Sequence, residues 1–145
     1  VGNTKIGKGM KLEVVTDATG LPLGMAVAAA NVPEHKLLGP ALESVPLPVP
    51  EGTPVIADKG HDCDDLRDEL EAEGLVPVIP HRKGRVRPSR TDGRRLRRYR
   101  RRWVVERTHA WLQSYRGLAV RWSVYAFMHV GLIYLGFIYL ALQRL

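Results

Sequence analysis

One cysteine, Cys63, is present in 145 residues, which excludes an internal disulfide framework and suits a reducing compartment such as the cytoplasm. A zinc centre is equally short of ligands. His61 and Cys63 supply two, but there is no second cysteine, and His35, His81, His109 and His129 are scattered one per segment. Nothing in the sequence sets a base beside Cys63 for nucleophilic catalysis. The lysines of residues 1–11 have no apolar stretch behind them, so no secretory signal is visible. Acids are the scarcer charge, 15 against 22 Lys and Arg, for a net +7.

That excess is concentrated. Residues 82–107 hold 13 bases and only Asp92 and Glu106 as acids, and the rest of the chain is mildly acidic. Arginine dominates the block, and its forked guanidinium suits phosphate oxygens. Such a block is the footprint of a protein that grips a nucleic-acid backbone. The alternative is a solvated basic helix, although like charges so crowded repel one another unless something neutralises them. With 45 % hydrophobic residues, the length fits one domain with its own core.

The patterning predicts an α/β protein. Leu12–Thr16 and Leu21–Ala29 read as strands of a hairpin around Asp17–Gly20. A short helix falls within Pro33–Glu43, interrupted near Gly39 and Pro40, before a connector with Pro46, Pro48, Pro50 and Pro54. Pro54–Asp58 reads as a buried strand ending in an acid. Asp62 is placed to cap a helix from Cys63 to Glu73, stopped by Gly74. Leu75–Ile79 is a further strand, set at an edge by Pro77. A basic loop over His81–Asp92 leads to a long helix over Gly93–Tyr115. An apolar helix follows over about 124–142, barely of membrane-spanning length and interrupted by His129. Packing on the sheet is the expectation for it, with no membrane span.

Two carboxylates stand out. Asp58 ends a strand, where open α/β sheets place ligand-binding groups, though loop acids and caps also sit there. Glu106 lies on the long helix, where the plain alternative is an ion pair with Arg102 four residues back. Tyr99, Arg102, Glu106 and Gln113 share one helical face by their spacing. Val104, Thr108, Trp111, Leu112 and Tyr115 form a separate stripe for packing. Phosphodiester chemistry needs few acids, because Mg²⁺ is bound by one or two carboxylates together with substrate phosphates.

Ala57-Asp58-Lys59-Gly60-His61-Asp62 resembles the motif around the second catalytic Asp of insertion-sequence transposases. Tyr99, Arg102 and Glu106 resemble the signature around their catalytic Glu. The run Arg101–Leu112 is similar to the version in the bacterial insertion-sequence family numbered five, with a DDE domain like that of the family numbered four. Arg116, the apolar tail, Val1, Gly2, Thr4, Lys5, Gly7–Gly9, Asn31 and Val32 fit as well, so the likeness spans the chain. The Glu motif is the specific part.

The resemblance implies the C-terminal part of a DDE transposase: one partial catalytic domain over 1–145, with an RNase H-like mixed sheet, flanking helices and a missing first strand. It implies DNA transposition by metal-dependent cleavage and strand transfer. Asp58 and Glu106 would bind Mg²⁺ or Mn²⁺, with Tyr99 and Arg102 supporting the active site. Arg82, Lys83, Arg85, Arg87, Arg98, Arg101, Arg102 and Gln113 are the DNA-contact candidates. The first Asp is expected upstream of Val1 or on an upstream product, and Asp17, in a hairpin turn, is rejected for that role. The expected partners are double-stranded DNA, both element ends and target, and further copies of the chain in a homo-oligomer. Two departures stand against the family pattern: Gln113 where a Lys is usual and His61 where a Tyr is usual. The rival readings are a catalytically dead remnant that only binds DNA, and a basic membrane-associated protein.

Overall fold

A computed structural model describes residues 2–3, 8–120 and 125–144. Val1, residues 4–7 and Val124, on which parts of the sequence reading fell, lie outside the described residues. The elements are β1 (Gly2–Asn3), β2 (Lys8–Thr16), β3 (Pro22–Ala29), α1 (Leu38–Glu43), β4 (Pro54–Ile56), α2 (Asp64–Ala72), β5 (Val76–Val78), α3 (Trp103–Ser114), α4 (Arg116–Ala119) and α5 (Ala126–Leu142). Short 3-10 turns cover Glu34–Lys36 and Lys59–His61, and a longer 3-10 stretch covers Arg95–Arg102. The architecture is mixed α/β.

The hairpin forms as expected, with Met10 opposite Ala29 and Val15 opposite Gly24. The Asp17 carboxylate closes its turn, accepting from the backbone N–H groups of Thr19 and Leu21, both at 2.8 Å. Alternation along β2 then divides its side chains between two faces. Leu12 and Val14 join Met25, Leu112, Ile133, Phe137 and Leu140 in a core under α3 and α5. Val15 turns the other way, toward a second core of Leu38, Ala57, Leu66, Leu70, Leu75 and Ile79.

The strands form two small sheets rather than the single mixed sheet expected. β1, β2 and β3 are antiparallel, while β4 and β5 pair in parallel, Val55 opposite Pro77. Pro77 thus sits in an edge strand, since β5 pairs only with β4 among the described residues. β1 covers the outer edge of β2 only at Lys8 and Gly9. Residues of β2 beyond that point and of β4 line one cleft of about 1180 Å³. The Pro54–Asp58 run is less buried than expected: only Ala57 is fully inside, and the strand ends at Ile56.

Three helical expectations need correction. The break before α1 falls at Leu37, where the 3-10 turn ends, and Gly39 and Pro40 lie inside the first turn of α1. Proline is tolerated there because the first-turn N–H groups have no helical partner. The helix expected from Gly93 to Tyr115 is α-helical only from Trp103, after the 3-10 stretch. Six of the eight residues in that stretch are arginine, and like charges at i,i+3 and i,i+4 weaken an α-helix. Asp62 does not cap α2: Cys63 is the N-cap residue, with no side-chain cap bond. Gly74, at φ +73°, ends the helix as expected, in a left-handed conformation that favours glycine.

α3 is anchored on the hairpin turn. Thr108, fully buried, donates to the Gly20 carbonyl at 2.6 Å. Arg107 donates to the Thr19 carbonyl at 2.6 Å and lies between the Trp103 and Trp111 rings, 4.7 and 4.6 Å from their centroids. Among the described residues, no helix is long and apolar enough to cross a membrane.

Candidate metal and nucleic-acid site

Asp58 follows β4 in extended conformation and caps the 3-10 turn over Lys59–His61. Its Oδ1 accepts from the Gly60 N–H at 2.8 Å and faces His61 Nδ1 at 2.9 Å. Its Oδ2 lies 3.7 Å from the Arg102 guanidinium. The same guanidinium bonds Glu106, one turn along, and lies 5.6 Å from the centroid of the Tyr99 ring. Tyr99, Arg102, Glu106 and Asp58 are thus brought together, the first two from the 3-10 stretch, Glu106 from α3 and Asp58 from the end of β4. Burial raises the Asp58 carboxyl, but hydrogen bonds from His61 and Gly60 and the charges of His61 and Arg102 outweigh it. The carboxyl is held below its ordinary value.

Sequence reasoning passed over two acids near Asp58 and did not join His61 to it. Glu13, on β2, places Oε1 3.1 Å from His61 Nε2. Glu34, from the 3-10 turn before α1, lies against Gly60. A Cβ at Gly60 would collide with Glu34 Oε2, so only glycine fits with the carboxylate in that place. His61 itself is 5 % exposed, and ligand atoms of Glu34, Asp58 and His61 all lie within 4.8 Å of one another. Cys63 is not in that group and packs against the second core. The available signals were a charged residue on the alternating β2 strand and a histidine three residues after Asp58. Neither says which distant residue it meets.

The arginine block is split by its surroundings. Asp62, nearly fully buried, accepts from Arg67 at 2.9 Å, from Arg85 at 2.8 Å and from the Arg82 backbone N–H at 2.9 Å. Arg85 and Arg87 both pair with Asp64, at 2.5 and 2.7 Å, and Arg90 pairs with Asp68 and Glu71. Two DNA-contact candidates, Arg85 and Arg87, are therefore engaged by acids of α2 and its approach, Arg85 mostly buried and Arg87 still exposed. Arg82 and Lys83 are exposed. Arg97, Arg98, Arg100 and Arg101 line the cleft beside Asp58, Glu106 and His109. Among the described residues those four have no ion pair. Gln113 is exposed and does not line the cleft.

A strand-end carboxylate and a helical carboxylate on one guanidinium, beside unpaired arginines, can bind a divalent cation and a phosphate backbone together. No solved structure matches this chain. A relative from Burkholderia cepacia, named as a putative transposase for insertion sequence element IS402, is 38 % identical over 136 residues, covering 88 % of this chain and 60 % of the relative. The transposase for insertion sequence element IS1106 of Neisseria meningitidis serogroup B is 35 % identical over 102 residues, covering 69 % of this chain and 34 % of the relative. The chain thus spans three fifths or less of the length of these relatives. The transposase DDE domain family matches residues 3–141, which include both carboxylates and the whole cleft, and the chain belongs to that family.

Proposed function

We propose that this chain is the metal-binding part of a transposase catalytic domain that cleaves phosphodiesters at element ends and joins the freed 3′-hydroxyl to target DNA. The observation that carries this reading is the convergence of Asp58 and Glu106 on Arg102 inside a cleft lined by unpaired arginines. A guanidinium between two carboxylates marks a place that favours positive charge. The donors are hard oxygens of the kind Mg²⁺ and Mn²⁺ prefer, so the residues fit the ion. Bound divalent ions supply charge stabilisation to the attacking and leaving oxygens of an in-line displacement.

The protein's own groups have separate tasks in this reading. Asp58 and Glu106 hold the ion, and Tyr99 orients Arg102 between them. Arg97, Arg98, Arg100 and Arg101 hold the DNA backbone at the cleft, with Arg82 and Lys83 on the flanking loop. Double-stranded DNA is the substrate, at element ends and target alike, and a homo-oligomer in the cytoplasm would bring two ends together.

Among the described residues β2 beyond Gly9 pairs only with β3 and β4 only with β5, and both strands line the cleft. A strand from outside these 145 residues, or from an upstream product, would pair between them and carry the first Asp. The two sheets would then join into one RNase H-like sheet.

The test is cleavage of element-end DNA with Mg²⁺ or Mn²⁺ by the chain together with its upstream segment. Glu106→Gln is expected to abolish cleavage and leave DNA binding within about twofold, since it removes a ligand charge and leaves Arg97, Arg98, Arg100 and Arg101 in place. Retained cleavage by Glu106→Gln overturns the assignment. Salt-dependent binding by the parent with no metal-dependent cleavage identifies a DNA-binding remnant instead.

A further inference from the structure

His61 faces a carboxylate at each ring nitrogen, Asp58 Oδ1 at 2.9 Å from Nδ1 and Glu13 Oε1 at 3.1 Å from Nε2. Each ring nitrogen therefore has its own carboxylate partner, one on its own turn and one on β2. The ring is buried, with 5 % of the residue exposed. Glu13 is held by the β2 strand, between Leu12 and Val14, which pack on the opposite face. The ring is therefore fixed from the hairpin, not only from its own turn.

The consequence falls on Asp58. With Oδ1 committed to the Gly60 N–H and the His61 ring, the carboxylate cannot rotate without breaking both bonds. Oδ2 is left as the oxygen that faces Arg102 and the cleft. We infer that Glu13 is a positioning residue, which acts through His61 to fix the Asp58 carboxylate with Oδ2 toward the metal and substrate. This rests on the reading of Asp58 as a metal ligand. With a nitrogen on each side, the one ring can link the two carboxylates. Outer-shell partners of this kind commonly alter metal affinity by 10- to 100-fold.

The test uses the 145-residue chain, read by the Asp58 side-chain carboxyl ¹³C signal without metal and by Mn²⁺ affinity. Glu13→Leu is expected to move the Asp58 carbon signal and weaken Mn²⁺ binding by about tenfold. Glu13→Gln, which keeps an acceptor for the ring, recovers most of that loss, and Glu13→Ala, which has none, serves if the leucine variant does not fold. In a His61→Phe background, Glu13→Leu changes neither readout further, because the path through the ring is already cut. An unmoved Asp58 signal in the folded variant that lacks an acceptor at position 13 overturns the inference, as does an equal loss in the His61→Phe background. Because the carbon signal needs no metal, the relay is decided by that signal even where the 145 residues alone, without the first Asp, fail to bind Mn²⁺.

Discussion

At the scale of single residues, Asp62 carries a large energetic stake outside the candidate metal site. Its side chain is 1 % exposed, and that of its partner Arg67 is 2 % exposed. Arg67 also donates to the Ile79 carbonyl at 2.8 Å, where Thr91 bonds too. Removing one member of a buried charge pair leaves the other desolvated and unpaired, at a cost of about 3–5 kcal/mol. Asp62→Asn is expected to lose that much in urea unfolding, and to loosen the 81–92 loop that Asp62 holds through Arg82 and Arg85. Burial raises the Asp62 carboxyl, but the Arg82 and Arg67 hydrogen bonds and the charges of Arg67 and Arg85 bring it below its ordinary 3.8. A depressed acid stabilises the fold fully above its unfolded value, and the contribution is lost as pH falls through the lower folded value. Acid titration of stability is therefore expected to be shallower below pH 3.8 in Asp62→Asn than in the parent.

At the scale of elements, α5 separates what periodicity can and cannot say. It is apolar almost all round, a pattern that fits a core helix or a membrane helix equally well. Packing selects Ile133, Gly136, Phe137 and Leu140, spaced by three or four residues, as the inward stripe. Phe137→Ala is expected to cost about 3–5 kcal/mol, whereas its half-exposed neighbour Ile138→Ala stays within about 1 kcal/mol. Thermal unfolding of the two variants checks the orientation, and similar losses would mean that α5 is turned differently. The 3-10 stretch before α3 shows how far a spacing can survive a change of helix type. An ideal α-helix would put Tyr99, Arg102 and Glu106 on one face. The three still meet here, because Tyr99 to Arg102 is one 3-10 turn and Arg102 to Glu106 one α turn.

For the whole molecule, the decisive feature is which part of the charge block is free. Arg85, Arg87 and Arg90 are spent on α2 acids, while Arg97, Arg98, Arg100 and Arg101 face the cleft unpaired. Replacing these four with Gln is expected to flatten the salt dependence of DNA binding, by about 0.9 log unit per log salt for each phosphate they neutralise. Replacing Arg87 and Arg90 is expected to change that slope little. Equal effects from the two sets, measured by fluorescence anisotropy over a salt series, would show that the α2 pairs open on DNA. Much of this layout was legible in the residues: the hairpin, the α2 stop at Gly74, the Asp58 strand end, the packing stripe of α3 and the basic block. Each of those signals is local, arising from chain stiffness, side-chain periodicity or charge density over a few residues. What the tertiary structure alone decided is long-range: the split into two sheets, the ion pairing of part of the arginine block and the meeting of Glu13 with His61. These depend on which surfaces pack together, and a contact between residues 13 and 61 leaves no periodic trace in either segment.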